Sequence, residues 1–210
     1  MRIHGAKNSV LPILAACLLA PGECVIHNCP ELSDVAASLD ILRHLGCRAE
    51  RQGDAVVVDA SAPTGWDVPD ALMREMRSSV IFLGAILGRM GRAELCAPGG
   101  CELGPRPIDL HLGAIRGLGG RITEDGGGLR AEGALRGADL VLSLPSVGAT
   151  ENAMLAAVCA AGTTTITNAA REPEIVDLQG FLRAIGAKVH GAGSSVITVE
   201  GGVPLHGDHR

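Results

Sequence analysis

The sequence predicts one α/β domain: three helix–strand–helix–strand–strand repeats around a pseudo-threefold axis, with the most apolar helix of each repeat at the centre. Three observations predict it. Apolar residues make up 47% of the 210-residue chain, while aromatics make up 1%, namely Trp66, Phe82 and Phe181. The core is therefore built from Leu, Ile, Val and Ala, which suits helices layered on sheets. One layout recurs three times, and the glycines that end its first helix, Gly22, Gly91 and Gly162, stand 69 and 71 residues apart. Finally, one repeat is too small to bury both faces of its own helices and sheet, so the copies have to pack on one another.

The repeats span about 8–60, 75–135 and 146–202, and the whole of 1–210 is expected to form a single lobe. Each opens with an apolar helix, at 11–20, 79–90 and 151–161. A short strand follows in each: CVIHN, AELCA and TTITN. A polar loop then leads into an amphipathic helix starting near Asp34, Asp109 or Asp177. That helix ends in Leu-Gly or Ile-Gly at Gly46, Gly119 and Gly186, a C-terminal stop signal. Two strands joined by a Gly-containing turn close the unit. The stretch SAPTGWDVPD, 61–70, reads as an inter-unit loop.

Charge and composition exclude several classes. The formal net charge of −5 argues against nucleic acid as the main partner, since phosphate backbones want a basic face. It leaves room for a small anion held by a few placed cations. No apolar run reaches the length of a membrane span. Leu14-Ala15-Ala16-Cys17 resembles a lipoprotein cleavage site, but the run is short and starts at a proline, so a buried helix beginning near Leu11 is the better reading. The seven cysteines form neither a CxxC pair nor matched half-sites for zinc, so no metal and no cofactor is expected. Most read as small buried hydrophobes of a reducing cytoplasm.

Function is sought where the repeats differ. The second repeat alone has the loop PGGCELGPRPID, with Cys101 among glycines and Arg106 five residues on. A thiol near a guanidinium has its thiolate favoured and can act as nucleophile or proton donor. Lys7, in HGAKNS, is one of two lysines against sixteen arginines. A compact ammonium before a helix start suits an anion. The stretch SLPSVGATEN puts Ser146, Val147 and Gly148 at the start of the third central helix, where small residues can cradle phosphate; N-capping by Ser146 or Thr150 is the plainer role. Arg77, in MRSS, precedes the second central helix. Threefold packing would bring these three starts to one end of the axis, with the cysteine loop able to fold over them as a lid.

Four stretches together, GAKNSVLPILAA, PGGCELGPRPIDLHL, PSVGATENAMLAAV and NAAREPEIVDL, resemble the bacterial UDP-N-acetylglucosamine enolpyruvyl transferases (1-carboxyvinyltransferases). The likeness runs from about Gly5 to the C-terminus. It implies one lobe of the enolpyruvyl transferase fold, and a cytoplasmic transferase of cell-wall synthesis. The implied reaction moves an enolpyruvyl group from phosphoenolpyruvate to the sugar 3′-hydroxyl, with release of phosphate. By the same resemblance, Cys101 is the proton donor that also forms an adduct with phosphoenolpyruvate and is the target of fosfomycin. Lys7, Asn8 and Arg106 bind phosphoenolpyruvate. Arg77, Arg106, Pro107, Ile108, Asp109, Leu110, Leu144, Pro145, Ser146 and Val147 bind the nucleotide sugar. At position 144 some members have lysine where this chain has leucine. Members of the family are about twice as long, with a second lobe that supplies the aspartate taking the hydroxyl proton and a further arginine. The resemblance thus implies that this chain turns over poorly alone and needs the second lobe as partner. The alternatives are a non-catalytic lobe that binds a nucleotide sugar or acts as an interaction module, and an RNA phosphate-end enzyme on a related repeat fold. The acidic balance and the missing stacking aromatics weigh against the last.

Overall fold

The computed structural model describes residues 7–76, 79–96, 108–125 and 128–208. The first repeat runs α1 (Lys7–Cys17), β1 (Glu23–Ile26), α2 (Ser33–His44), β2 (Arg48–Gln52) and β3 (Ala55–Asp59). A linking segment follows, β4 (Asp67–Val68) and α3 (Asp70–Glu75). The second repeat runs through a 3₁₀ turn (Ser79–Ile81), α4 (Phe82–Met90), β5 (Arg92–Cys96), α5 (Asp109–Gly117), β6 (Arg121–Asp125) and β7 (Gly128–Glu132). After β8 (Asp139–Val141) comes the third: α6 (Val147–Cys159), β9 (Gly162–Thr167), α7 (Pro173–Ala184), β10 (Lys188–His190) and β11 (Val196–Gly201). The order helix–strand–helix–strand–strand therefore occurs three times, each with its own sheet.

The core is aliphatic. From Leu14 to Ala20 no residue is more than 1% exposed, and Ala153 to Val158 are equally buried. A helix apolar on all sides has to lie inside the fold, so α1, α4 and α6 occupy the centre. α4 and α6 approach closely because Gly84 has no side chain; a Cβ there would stand 2.5 Å from the Asn152 carbonyl oxygen. Pro12 lies within α1 and is buried. It forgoes one backbone hydrogen bond, which the apolar packing of this helix offsets.

The amphipathic helices end alike. Gly46, Gly119 and Gly186 have φ of 90°, 89° and 102°, a left-handed conformation open to glycine at little cost. In each case the next amide reaches back across the turn, Cys47 N to Leu42 O, Gly120 N to Ile115 O and Ala187 N to Leu182 O. These are three copies of one C-terminal capping motif.

Two expectations about the linking segments are corrected. Residues 61–70 are not a bare loop: they hold β4 and open α3. β4 pairs parallel with β5, and β8 pairs parallel with β9, giving the second and third sheets a fourth strand. Runs of two and three residues are too short to show a period of two, so the sequence pattern does not betray them. The first sheet has three strands, β1-β3-β2, and the end of the chain takes the corresponding edge. Val25 N donates to Asp208 O as Glu94 N does to Trp66 O and Thr165 N to Ala138 O. Two residues earlier, His206, Thr64 and Arg136 donate in turn to Ile185, Leu45 and Leu118. Each repeat thus lends an edge to the next, and the last repeat lends one to the first.

The helix starts also differ from expectation at three places. α6 begins at Val147, four residues ahead of 151. α1 begins at Lys7, so Lys7 and Asn8 lie in its first turn and not ahead of it. α7 begins at Pro173, a residue preset for the first helical position, which places Asp177 in the second turn.

Candidate functional site

The first turns of α1, α2 and α7 meet at one end of the lobe. Lys7 Nζ lies 2.6 Å from Asp34 Oδ2 in α2. Asn8 Nδ2 donates to Glu174 Oε1 of α7 at 3.5 Å, and Ser9 Oγ donates to Asp177 Oδ2 at 2.6 Å. The ammonium is therefore half-exposed and already paired. An arriving anion has to compete with the Asp34 carboxylate for it, an element that sequence spacing did not reveal.

The α6 start joins this end through α7 and joins α4 through one buried amide. Glu151 of α6 feels the charge of Glu174. Asn152, fully buried, accepts from Gly84 N at 2.7 Å through Oδ1 and donates to Val80 O at 3.0 Å through Nδ2. The same Nδ2 lies 2.7 Å from Nδ1 of His111 in α5. Because the amide nitrogen donates, Nδ1 accepts and the neutral ring carries its proton on Nε2. Burial lowers the His111 pKa to about 4, which keeps the ring neutral. Gly148 lets the imidazole in, since a Cβ there would stand 2.9 Å from His111 Cε1. Asn152 and His111 escaped the sequence reading. Their only signals were a polar residue inside an apolar helix and a histidine directly after RPIDL.

Of the segment 144–147, Ser146 is the N-cap, its Oγ accepting from Ala149 N at 3.4 Å. Thr150 does not cap α6: its hydroxyl donates to Ser146 O and accepts from Ala170 N. Val147 is the first residue of α6, and Leu144 is 65% exposed. Pro145 borders a cavity of about 430 Å³ shared with Asn168, Ala169, Arg171 and Glu172 of the β9–α7 connection. The segment 108–110 opens α5. Ile108 is its N-cap residue and Asp109 its first residue, where a carboxylate suits the helix dipole. Ile108 and Leu110 pack against the core. Arg77, Cys101, Arg106 and Pro107 lie outside the described residues.

Among the described residues, no group of three or more His, Cys, Asp or Glu side chains could hold a metal ion. None of their helices is long and apolar enough to cross a membrane. Cys17, Cys24, Cys29 and Cys47 are buried. Burial raises the pKa of Cys29 and Cys47 and so favours the neutral thiol there, and Cys24 departs from that. A hydrogen bond with Cys17 lowers the pKa of Cys24 while raising that of Cys17.

Over residues 1–210 the chain matches the family described as EPSP synthase (3-phosphoshikimate 1-carboxyvinyltransferase). The chain belongs to the EPSP synthase family. Within it, a protein of Caldanaerobacter subterraneus subsp. tengcongensis named UDP-N-acetylglucosamine 1-carboxyvinyltransferase 2 is 52% identical over 98% of this chain and 50% of its own length. One of Symbiobacterium thermophilum, named UDP-N-acetylglucosamine 1-carboxyvinyltransferase 1, is 51% identical over 95% of this chain and 47% of that protein. The chain thus spans about half the length of the curated relatives it matches. The crystal structure of the enolpyruvyl transferase NikO from Streptomyces tendae superposes with a TM-score of 0.87 at 26% identity, over 100% of this chain and 50% of that one. An EPSP synthase of Acinetobacter baumannii, at 22% identity and a TM-score of 0.78 over 48% of its length, shares the EPSP synthase fold.

Proposed function

We propose that this chain is the cysteine-bearing lobe of a UDP-N-acetylglucosamine 1-carboxyvinyltransferase, a cytoplasmic enzyme opening peptidoglycan synthesis. The observation that supports it most is the gathering of separate motifs at one end of the lobe. Lys7 and Asn8 in α1, the 144–147 segment before α6, and Asp109 and Leu110 in α5 are tied together through Glu174, Asn152 and His111. Relatives 52% and 51% identical to this chain over the part of their length that it spans bear the name of that activity.

In this reading Lys7 and Asn8 take the phosphate and carboxylate of phosphoenolpyruvate, with Arg106. Lys7 leaves Asp34 for the ligand. Arg77, the segment from Arg106 to Leu110 and that from Leu144 to Val147 hold the nucleotide sugar. Cys101 delivers a proton to the methylene carbon of phosphoenolpyruvate as the sugar 3′-hydroxyl adds to C2. Loss of that proton from carbon and departure of phosphate then give the enol ether. The hydroxyl proton needs a carboxylate acceptor, which the resemblance assigns to a second lobe. General-base help is worth about 10²–10⁴-fold, so the lone chain is expected to turn over negligibly.

The test is phosphate release from phosphoenolpyruvate and UDP-N-acetylglucosamine. The chain alone should release none, and the chain joined to a second lobe from its 52% identical relative should release phosphate, with sensitivity to fosfomycin. Absence of activity in the joined protein would favour a lobe that binds a nucleotide sugar without reacting.

A further inference from the structure

Glu151 is a carboxyl that this chemistry leaves unused. It stands in α6, 5% exposed, and no described residue hydrogen-bonds it. An ionised carboxylate is costly to bury without a partner, so such a group tends to keep its proton. Burial, with Glu174 adding to it, raises its pKa to about 8. Glu174 in turn accepts from Asn8 Nδ2. Glu174 of α7 therefore connects Glu151, through its charge, with Asn8 in the turn that holds Lys7.

The charged groups of the surrounding elements are otherwise committed. On α7, Asp177 accepts from Ser9. Lys7 of α1 pairs with Asp34 of α2. α5 brings Asp109, the neutral His111 and Arg116, which pairs with Glu124. The described part of α4 and its 3₁₀ turn carries only Arg89, which reaches Ala60 O. β9 has no ionisable side chain, and Glu200 of β11 pairs with Lys188. Glu174 is thus the neighbour through which Glu151 makes itself felt.

We propose that Glu151 is a positioning residue for phosphoenolpyruvate: as an uncharged acid beside Glu174, it leaves one carboxylate to hold Asn8 and keeps a second negative charge from the Lys7 end. The inference rests on the reading that Lys7 and Asn8 take phosphoenolpyruvate. Once Glu151 ionises, two like charges face each other, Glu174 shifts, and the anion meets added repulsion.

The experiment is calorimetric titration of the chain with phosphoenolpyruvate at a series of pH values, for the parent protein and for Glu151→Gln. The amide keeps the shape of the neutral acid and cannot ionise. Parent affinity should fall about tenfold between about pH 7 and about pH 9, while E151Q should hold its neutral-pH affinity throughout. Equal pH dependence in both proteins would overturn the inference and leave the ligand reading intact. So would an E151Q that binds more weakly than the parent at neutral pH. If neither protein binds at any pH, the ligand reading falls and the inference with it. Should E151Q not fold, Glu174→Gln serves: removing the like charge lets Glu151 ionise more easily and should move the parent's loss of affinity to lower pH, and an unmoved or upward-moved loss would overturn the proposal.

Discussion

Lys7 Nζ sits 2.6 Å from Asp34 Oδ2, so the lysine expected to bind an anion is held by a carboxylate of the neighbouring helix. The pair is part-exposed, and such pairs contribute about 0–1 kcal/mol. That is weak enough for a doubly charged ligand to displace. Asp34→Asn should tighten the binding of inorganic phosphate, and Lys7→Ala should weaken it. Both are read as the shift in melting temperature that phosphate causes. An unchanged shift in Lys7→Ala would mean that the lysine serves the fold alone.

Asn152 bridges three elements with one side chain. Replacing it with leucine strands Gly84 N, Val80 O and His111 Nδ1 in the core. Each stranded group costs about 1–3 kcal/mol, so a loss of about 3 kcal/mol or more is expected, about 6–12 °C in melting temperature for a chain of this size. Thermal unfolding by circular dichroism checks it; a fall of only a degree or two would show that the amide is dispensable.

Two buried groups give the stability of this lobe a pH dependence at both ends. His111 has a pKa lowered to about 4 in the folded state. Its stabilising contribution is complete above its unfolded value and is lost as pH falls from about 6.5 through about 4. Glu151 has a pKa raised to about 8. Its contribution is complete below its unfolded value near 4.5 and is lost as pH rises toward 8. Glu151→Gln should therefore flatten the alkaline side of a urea-midpoint profile and raise stability at neutral pH. An identical alkaline limb in the variant would show that Glu151 does not titrate there.

Cys101 should be alkylated ahead of the other thiols. Cys17, Cys24, Cys29 and Cys47 are buried, and burial raises Cys159 to about 11. Cys101 belongs to a Gly-rich segment with Arg106 close in sequence, a setting that favours the thiolate. Limited iodoacetamide labelling followed by peptide mass spectrometry is the check, and earlier modification of Cys96 or Cys159 would count against the thiolate argument.

Much of this lobe was legible in the sequence. The layout repeating after 69 and 71 residues named the elements, because apolar periodicity and glycine stops are local signals that each copy restates. The four motifs pointed to the family that residues 1–210 match, because long stretches in a fixed order are distinctive wherever they fall. What the sequence by itself did not determine depends on distant partners. β4 and β8 are strands only because β5 and β9 offer them an edge, and Asp208 reaches β1 across the whole length of the chain. The Asp34 that occupies Lys7, the amide that Asn152 turns toward His111, and the burial that raises the Glu151 pKa are likewise set by tertiary structure. Ion pairing, hydrogen bonding and desolvation depend on distance in space and on burial, and neither is written in the local order of residues.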